Sequence, residues 1–311
     1  MNPLLPNAIR GNWATVLLPI NADESIDWVR LEDALDRVVE SRPDGVYTNG
    51  TAGEFFTQTE DEFDRIQHLA AEKLEAAGIP FQIGACHTSP HVSVSRIRRA
   101  AQLHPGAIQV ILPDWFPVSD SEAAATMKDF AEAAEGIPLI LYNPPHAKRV
   151  LDPHAWKGIR KAVPEIAGVK VAGGSDPDWY AAMVDALDGA ALFVAGHFLA
   201  TGLRHGAKGS YSNVACLHPA GARRWYERMQ TDPDAALEIE KRIQGFLEKW
   251  IHPMIFRERY SNPAIDKLLA AIGGWADIGT RMRWPYRGVP EDRVATLRAE
   301  ALNVIPELFE G

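Results

Sequence analysis

The run IAGVKVAGG, Ile166 to Gly174, carries one charged side chain, Lys170, among residues that are otherwise apolar or have no side chain. So short a β-branched, apolar run reads as a buried strand, where desolvation disfavours the charged form of an ammonium. A neutral amine adds to a ketone to give a carbinolamine and then an iminium. The iminium withdraws electrons from the neighbouring carbon, so that a C–C or C–H bond there can break. On the strand alone, an equal reading is a lysine whose head snorkels out of the strand end or pairs with a carboxylate. Two further stretches bear on the choice. Tyr142, in LILYNPP, offers a phenol to shuttle the protons that carbinolamine chemistry requires, although alone it reads as a packed aromatic. GTAG, Gly50 to Gly53, offers the Thr51 hydroxyl and the N–H groups of Ala52 and Gly53 leading into a helix, a place for a 2-oxo acid's carboxylate; alone it is a Gly-rich turn.

Something must bring these residues together. Eight short apolar runs alternate with helical patterns: Ala14 to Ile20, Gly45 to Gly50, Pro80 to Ala85, Ala107 to Pro113, Pro138 to Pro145, Ile166 to Gly174, Ala191 to Gly196 and Ala207 to Val214. Between them, sets such as Phe63, Ile66, Leu69, Ala70 and Leu74 recur at helical spacing. Nearly continuous apolar strands imply burial on both faces, hence a parallel sheet under helices, and eight units predict a closed (β/α)8 TIM barrel over residues 1–231. An open doubly wound sheet is the alternative. From residue 232 to 311 no strand is expected; Ala235 to Phe256, Asn262 to Ile272 and Glu291 to Phe309 read as a C-terminal helical appendage. In such barrels reactive groups sit at the C-terminal ends of strands, where Thr51, Tyr142 and Lys170 fall.

Composition narrows the partners. The 311 residues carry a net charge of -9, with acidic residues spread along helices, which implies neither a nucleic-acid footprint nor an anionic membrane surface and fits a small-molecule substrate. No run approaches the ~20 apolar residues of a membrane span, and the N-terminus has no signal-peptide pattern, so a cytoplasmic protein is expected. Cys86 and Cys216 are far apart in sequence and are expected as buried thiols rather than a disulfide. No phosphate cradle or dinucleotide fingerprint is present, so no cofactor is implied.

At these residues the chain resembles the dihydrodipicolinate synthase and N-acetylneuraminate lyase superfamily, nearly end to end. GTAGE resembles its carboxylate loop, YNPP its tyrosine motif, GVKVAGG its lysine strand, and GAKGSYSNVACLHP, NPAIDKLLAAIG and RWP its later segments. The resemblance implies a Schiff base between Lys170 and pyruvate or a related 2-oxo acid, Tyr142 as proton shuttle, and Thr51, Ala52 and Gly53 as the carboxylate site. It further implies Gly196 and Tyr211 on the pocket wall and a homo-oligomer, dimer or homotetramer. The departures are specific. Ala52 replaces a second hydroxyl residue, and Trp115 stands where the synthases have a relay tyrosine, which an indole does not replace as a proton carrier. His146, Ala147, Lys148 and Arg149 follow YNPP where the synthases have a carboxylate-binding arginine, and His197 stands where an acidic residue is common.

The expectation is a lyase, aldolase or dehydratase, acting on a sugar acid or similar compound. Authentic 4-hydroxy-tetrahydrodipicolinate synthase, a metal-dependent aldolase using His87, His91, His146 and His197, and a non-catalytic 2-oxo acid binding protein are the alternatives.

Overall fold

The computed structural model describes residues 1–310. Eight parallel strands close into a barrel in chain order: β1 Gly11–Thr15, β2 Gly45–Tyr47, β3 Phe81–Gly84, β4 Ala107–Ile111, β5 Leu139–Tyr142, β6 Ile166–Lys170, β7 Ala191–Val194 and β8 Gly209–Tyr211. The helices that return the chain are α1 Trp28–Glu40, α2 Glu60–Ala76, α3 Pro90–Ala101, α4 Asp120–Ala133, α5 Pro153–Ala162, α6 Pro177–Leu187 and α7 Leu199–Arg204, with α8 Asn213–Leu217 and α9 Pro219–Thr231 after β8. The expected barrel is therefore the observed one, except that two helices follow the last strand. The first strand also lies earlier than its apolar run: Val16 still donates to the Tyr47 carbonyl, but Leu17 to Ile20 are buried and leave the barrel sheet, because an apolar run reports burial, not ladder hydrogen bonding.

Inside the barrel Trp13, Tyr47, Ile140, Ala167, Phe193 and Tyr211 pack together; the larger core lies between strands and helices. One irregularity sets the orientation of β6. Leu139 pairs with Ile166, but Ile140 pairs with Gly168, so β6 carries an extra residue. Ala167 faces the interior and Val169 the helical layer. The bulge thus reverses the alternation and turns Lys170 inward, opposite Tyr142; bulges re-aim side chains in this way.

The C-terminal part folds over the barrel mouth as α10 Pro233–Phe246, α11 His252–Phe256, α12 Asn262–Gly273 and α13 Val294–Val304. The continuous helix expected from Ala235 to Phe256 is interrupted by a π turn at Leu247–Ile251, whose His252 N–H bonds to the Leu247 carbonyl. Pro253 lacks the N–H that an α-helix would need there, and a widened turn absorbs the mismatch. Arg283 ties this region to the barrel: it donates to Glu62 at 2.6 and 2.8 Å and to the Thr57 and Glu24 carbonyls. Glu62 also completes the capping box of α2 with Thr59. Among the described residues no helix is long and apolar enough to cross a membrane.

Candidate active site

A cavity of about 260 Å³ opens at the C-terminal ends of the strands. Lys170 reaches it from β6. Its Nζ lies 4.3 Å from the centre of the Tyr142 ring, 4.4 Å from Tyr47 and 5.2 Å from Tyr211. Burial pushes its pKa down to about 8, with the negative charge of Asp266 opposing the fall. Roughly a tenth of the amine is therefore free at pH 7, far more than for an ordinary lysine. The Tyr142 hydroxyl lies 3.0 Å from the Thr51 hydroxyl; burial raises the phenol's pKa and the Thr51 bond opposes this, so the group enters as a neutral proton donor.

The Gly50–Gly53 loop supplies the wall beside Lys170 and Tyr142. Helix α2 begins only at Glu60, so the loop does not stand at a helix N-terminus as expected; a series of turns holds it instead. Thr51 and Ala52 line the cavity, and among the described residues nothing accepts from their N–H groups. The Gly53 N–H is engaged, donating to the Gly50 carbonyl at 3.1 Å. A side chain on Gly53 would press on the Asn49 backbone at 2.9 Å, so this glycine serves the packing behind the loop. Gly50 is needed for another reason: a Cβ there would lie 3.2 Å from Lys170 Nζ and 2.9 Å from the Tyr47 ring.

Tyr211 lines the cavity, but its hydroxyl donates to Gln82 Oε1 at 2.6 Å and is committed to the barrel interior. Gly196 is set back, a Cβ there meeting Ser212 Oγ at 2.4 Å, while its neighbours Ala195 and His197 reach the cavity. Burial pushes His197 down to about 4, so its ring is neutral near pH 7, beside Asn213 Oδ1 at 3.3 Å. Trp115 is 88 % exposed and lies outside the cavity. Arg149 is ion-paired with Asp120 and donates to the Val118 carbonyl; Lys148 is exposed. His146 lines a separate cavity of about 50 Å³ on which Thr51 and Tyr142 also border. Cys86 and Cys216 are buried and unpaired. Among the described residues no group of three or more His, Cys, Asp or Glu is placed to hold a metal ion.

Asp266 is not among the residues that motif and spacing single out in the sequence. Helix α12 turns Asn262, Ile265, Asp266 and Leu269 toward the cavity, one face at helical spacing. Burial pushes the Asp266 carboxyl up to about 7, with Lys170 opposing. The next residue, Lys267, forms a fully buried ion pair with Glu54 at 2.5 Å and donates to the Arg281 carbonyl at 2.7 Å. Burial works against both charges, raising the Glu54 carboxyl and lowering Lys267, and each partner opposes the other's shift. One helix thus faces Lys170 with a carboxylate and anchors the loop that carries Thr51. A carboxylate within an otherwise apolar helical stripe was the available signal.

The model of the Dihydrodipicolinate synthetase family matches residues 8–302. A 4-hydroxy-tetrahydrodipicolinate synthase of Azoarcus sp. (strain BH72) is 30% identical over 306 residues, covering 94% of this chain and 98% of the relative. An N-acetylneuraminate lyase of Enterobacter sp. (strain 638) is 26% identical over 140 residues, 44% of this chain and 46% of that protein. Among solved structures, the prophage protein YagE of E. coli K12, in complex with pyruvate, superposes with a TM-score of 0.82 at 19% identity, covering 95% of this chain and 98% of the other. A sialic acid aldolase of Ruminococcus gnavus, a catalytic-lysine mutant, gives 0.81 at 18% identity, covering 99% and 98%. At these identities the two structures speak for the fold.

Proposed function

The chain belongs to the dihydrodipicolinate synthetase family, whose members are Schiff-base lyases and aldolases, and from that premise we propose that Lys170 forms an imine with pyruvate or a related 2-oxo acid. The observation that carries this reading is the placement of Lys170 Nζ among Tyr47, Tyr142 and Tyr211, with the Thr51–Tyr142 hydroxyl pair beside it. The free amine attacks C2 of the 2-oxo acid. Tyr142, linked to Thr51, passes a proton to the departing hydroxyl, water leaves, and an iminium remains. Loss of a C3 proton then gives an enamine, which is protonated, adds to an aldehyde, or expels a hydroxyl. The Thr51 hydroxyl and the Thr51 and Ala52 N–H groups hold the carboxylate. Asp266, the one carboxylate on the cavity wall among the described residues, balances the iminium, whose charge cannot be shed by deprotonation.

The same reading makes the protein a homo-oligomer, for which the adjacent Trp115 and Phe116, 88 % and 77 % exposed, are a support, since large exposed aromatics side by side mark contact surfaces. Authentic 4-hydroxy-tetrahydrodipicolinate synthase activity is the second reading, favoured by the Azoarcus relative. Exchange of the pyruvate methyl protons in D2O, followed by NMR, tests the common step. The reading expects catalysed exchange that is lost in Lys170→Arg; binding of pyruvate without exchange would leave a binding protein.

A further inference from the structure

Resting on the imine reading, a second property follows from the apolar part of the cavity wall. That wall comes from the strand ends and the C-terminal helices, and it is formed chiefly by Val171, Val194, Leu247, Ile251, Ile255 and Ile265. The π turn contributes directly: Leu247, Ile251 and Ile255 follow at intervals of four and share one side of the chain. Among the described residues lining the cavity, Lys170 is the only lysine or arginine. The neutral polar groups include His197, held neutral, and the amides of Asn213 and Asn262, and His252 adds a second ring. Asp266 adds a negative charge.

A carboxylate on the second substrate would thus meet no guanidinium or second ammonium and would face Asp266, a like charge in a poorly solvated space. A polyhydroxylated chain would lay most of its hydroxyls against isoleucine, leucine and valine, with only Asn213, Asn262, His197 and His252 there to pair with them, at a cost of about 1–3 kcal/mol for each one left unpaired. At about 260 Å³ the cavity is slightly below the ~300–1,000 Å³ of pockets for drug-sized ligands, which suits a 2-oxo acid joined to one small partner.

We propose that the acceptor held by this wall is an uncharged, largely apolar aldehyde, aromatic or branched aliphatic, and not a sugar-derived or carboxylated one. The enamine C3 attacks the aldehyde carbon and a C–C bond forms. The carbonyl π pair moves to the aldehyde oxygen, which takes a proton from Tyr142; water then hydrolyses the iminium, releasing a 4-hydroxy-2-oxo acid and free Lys170. This departs from the sugar-acid substrate expected from the sequence, because the helical wall supplies few hydrogen-bonding groups.

The test is a condensation series at pH 8 with pyruvate and, in turn, benzaldehyde, 3-methylbutanal, glyceraldehyde and succinic semialdehyde, with methyl-proton exchange of pyruvate measured on the same enzyme. The expected result is a kcat/KM for the two apolar aldehydes at least about tenfold above that for the other two. In Ile251→Arg the ratio of the two kcat/KM values, measured on the same variant, should move toward succinic semialdehyde by about tenfold. Preference of the unaltered enzyme for the hydroxylated or carboxylated aldehyde, or no condensation with either apolar aldehyde despite exchange, overturns the assignment. Loss of exchange in the unaltered enzyme would instead sink the imine reading on which it stands.

Discussion

At the strand ends, the polar groups of the cavity have partners within the barrel: Tyr142 meets Thr51, Tyr211 meets Gln82, and the β5–β6 register sets Tyr142 opposite Lys170. Across the same cavity, α12 and the segment around the π turn present chiefly aliphatic side chains, with Asn262, His252 and the Asp266 carboxylate among them. The first half fixes distances by a hydrogen-bonded sheet; the second fixes shape by packing. Changes in the first half should decide whether an imine forms, and changes in the second should decide what reacts with it.

The largest effect belongs to the first half. Lys170→Arg keeps a positive charge but removes the nucleophile, and turnover should fall by about 10⁴-fold or more in a steady-state assay. Retained activity would show that the strand-end half is not the reacting one. Tyr142→Phe leaves the amine but takes away the proton carrier, and a loss of about 10²–10⁴-fold in kcat is expected; an unchanged kcat would assign the shuttle to another group. Lys267→Met crosses between the halves, since it strips Glu54 of its buried partner. Breaking such a pair costs about 3–5 kcal/mol, read as a lowered unfolding midpoint in denaturant, and the loop carrying Thr51 should lose affinity for pyruvate.

The smallest effect is the pH response. Lys170, pushed down to about 8, is ammonium below that pH and amine above it, so the rate of imine formation should rise with pH and level off beyond about 8. Because the charge of Asp266 holds the lysine's pKa up, Asp266→Asn should move the midpoint downward by about one unit or less. A midpoint that does not move would mean the two halves are electrostatically independent.

The two halves were also unequally legible in the sequence. Alternating apolar runs and helices predict the barrel, because a parallel sheet buries both faces and marks every strand. Strand alternation alone would send Lys170 outward, since Ile166 faces the helices; the extra residue at Ala167–Gly168 that reverses it is a property of pairing with β5, visible only in three dimensions. Periodicity marks the helical half only as an appendage. Its part in the cavity depends on how α12 lies over the barrel mouth and on the π turn before Pro253, neither of which periodicity encodes, so Asp266 and Ile251 passed as ordinary helical residues. Motif places Gly53 and Gly196 in the site, whereas their surroundings show glycines required by close packing, against the Asn49 backbone for Gly53 and against the Ser212 and Asn213 side chains for Gly196.

Borohydride reduction of the enzyme in the presence of pyruvate, followed by mass spectrometry of its peptides, tests the central assignment most directly. The account predicts one stable adduct, on the peptide containing Lys170, that is missing in Lys170→Arg. An adduct on a different lysine, or saturable pyruvate binding with no adduct at all, would contradict it.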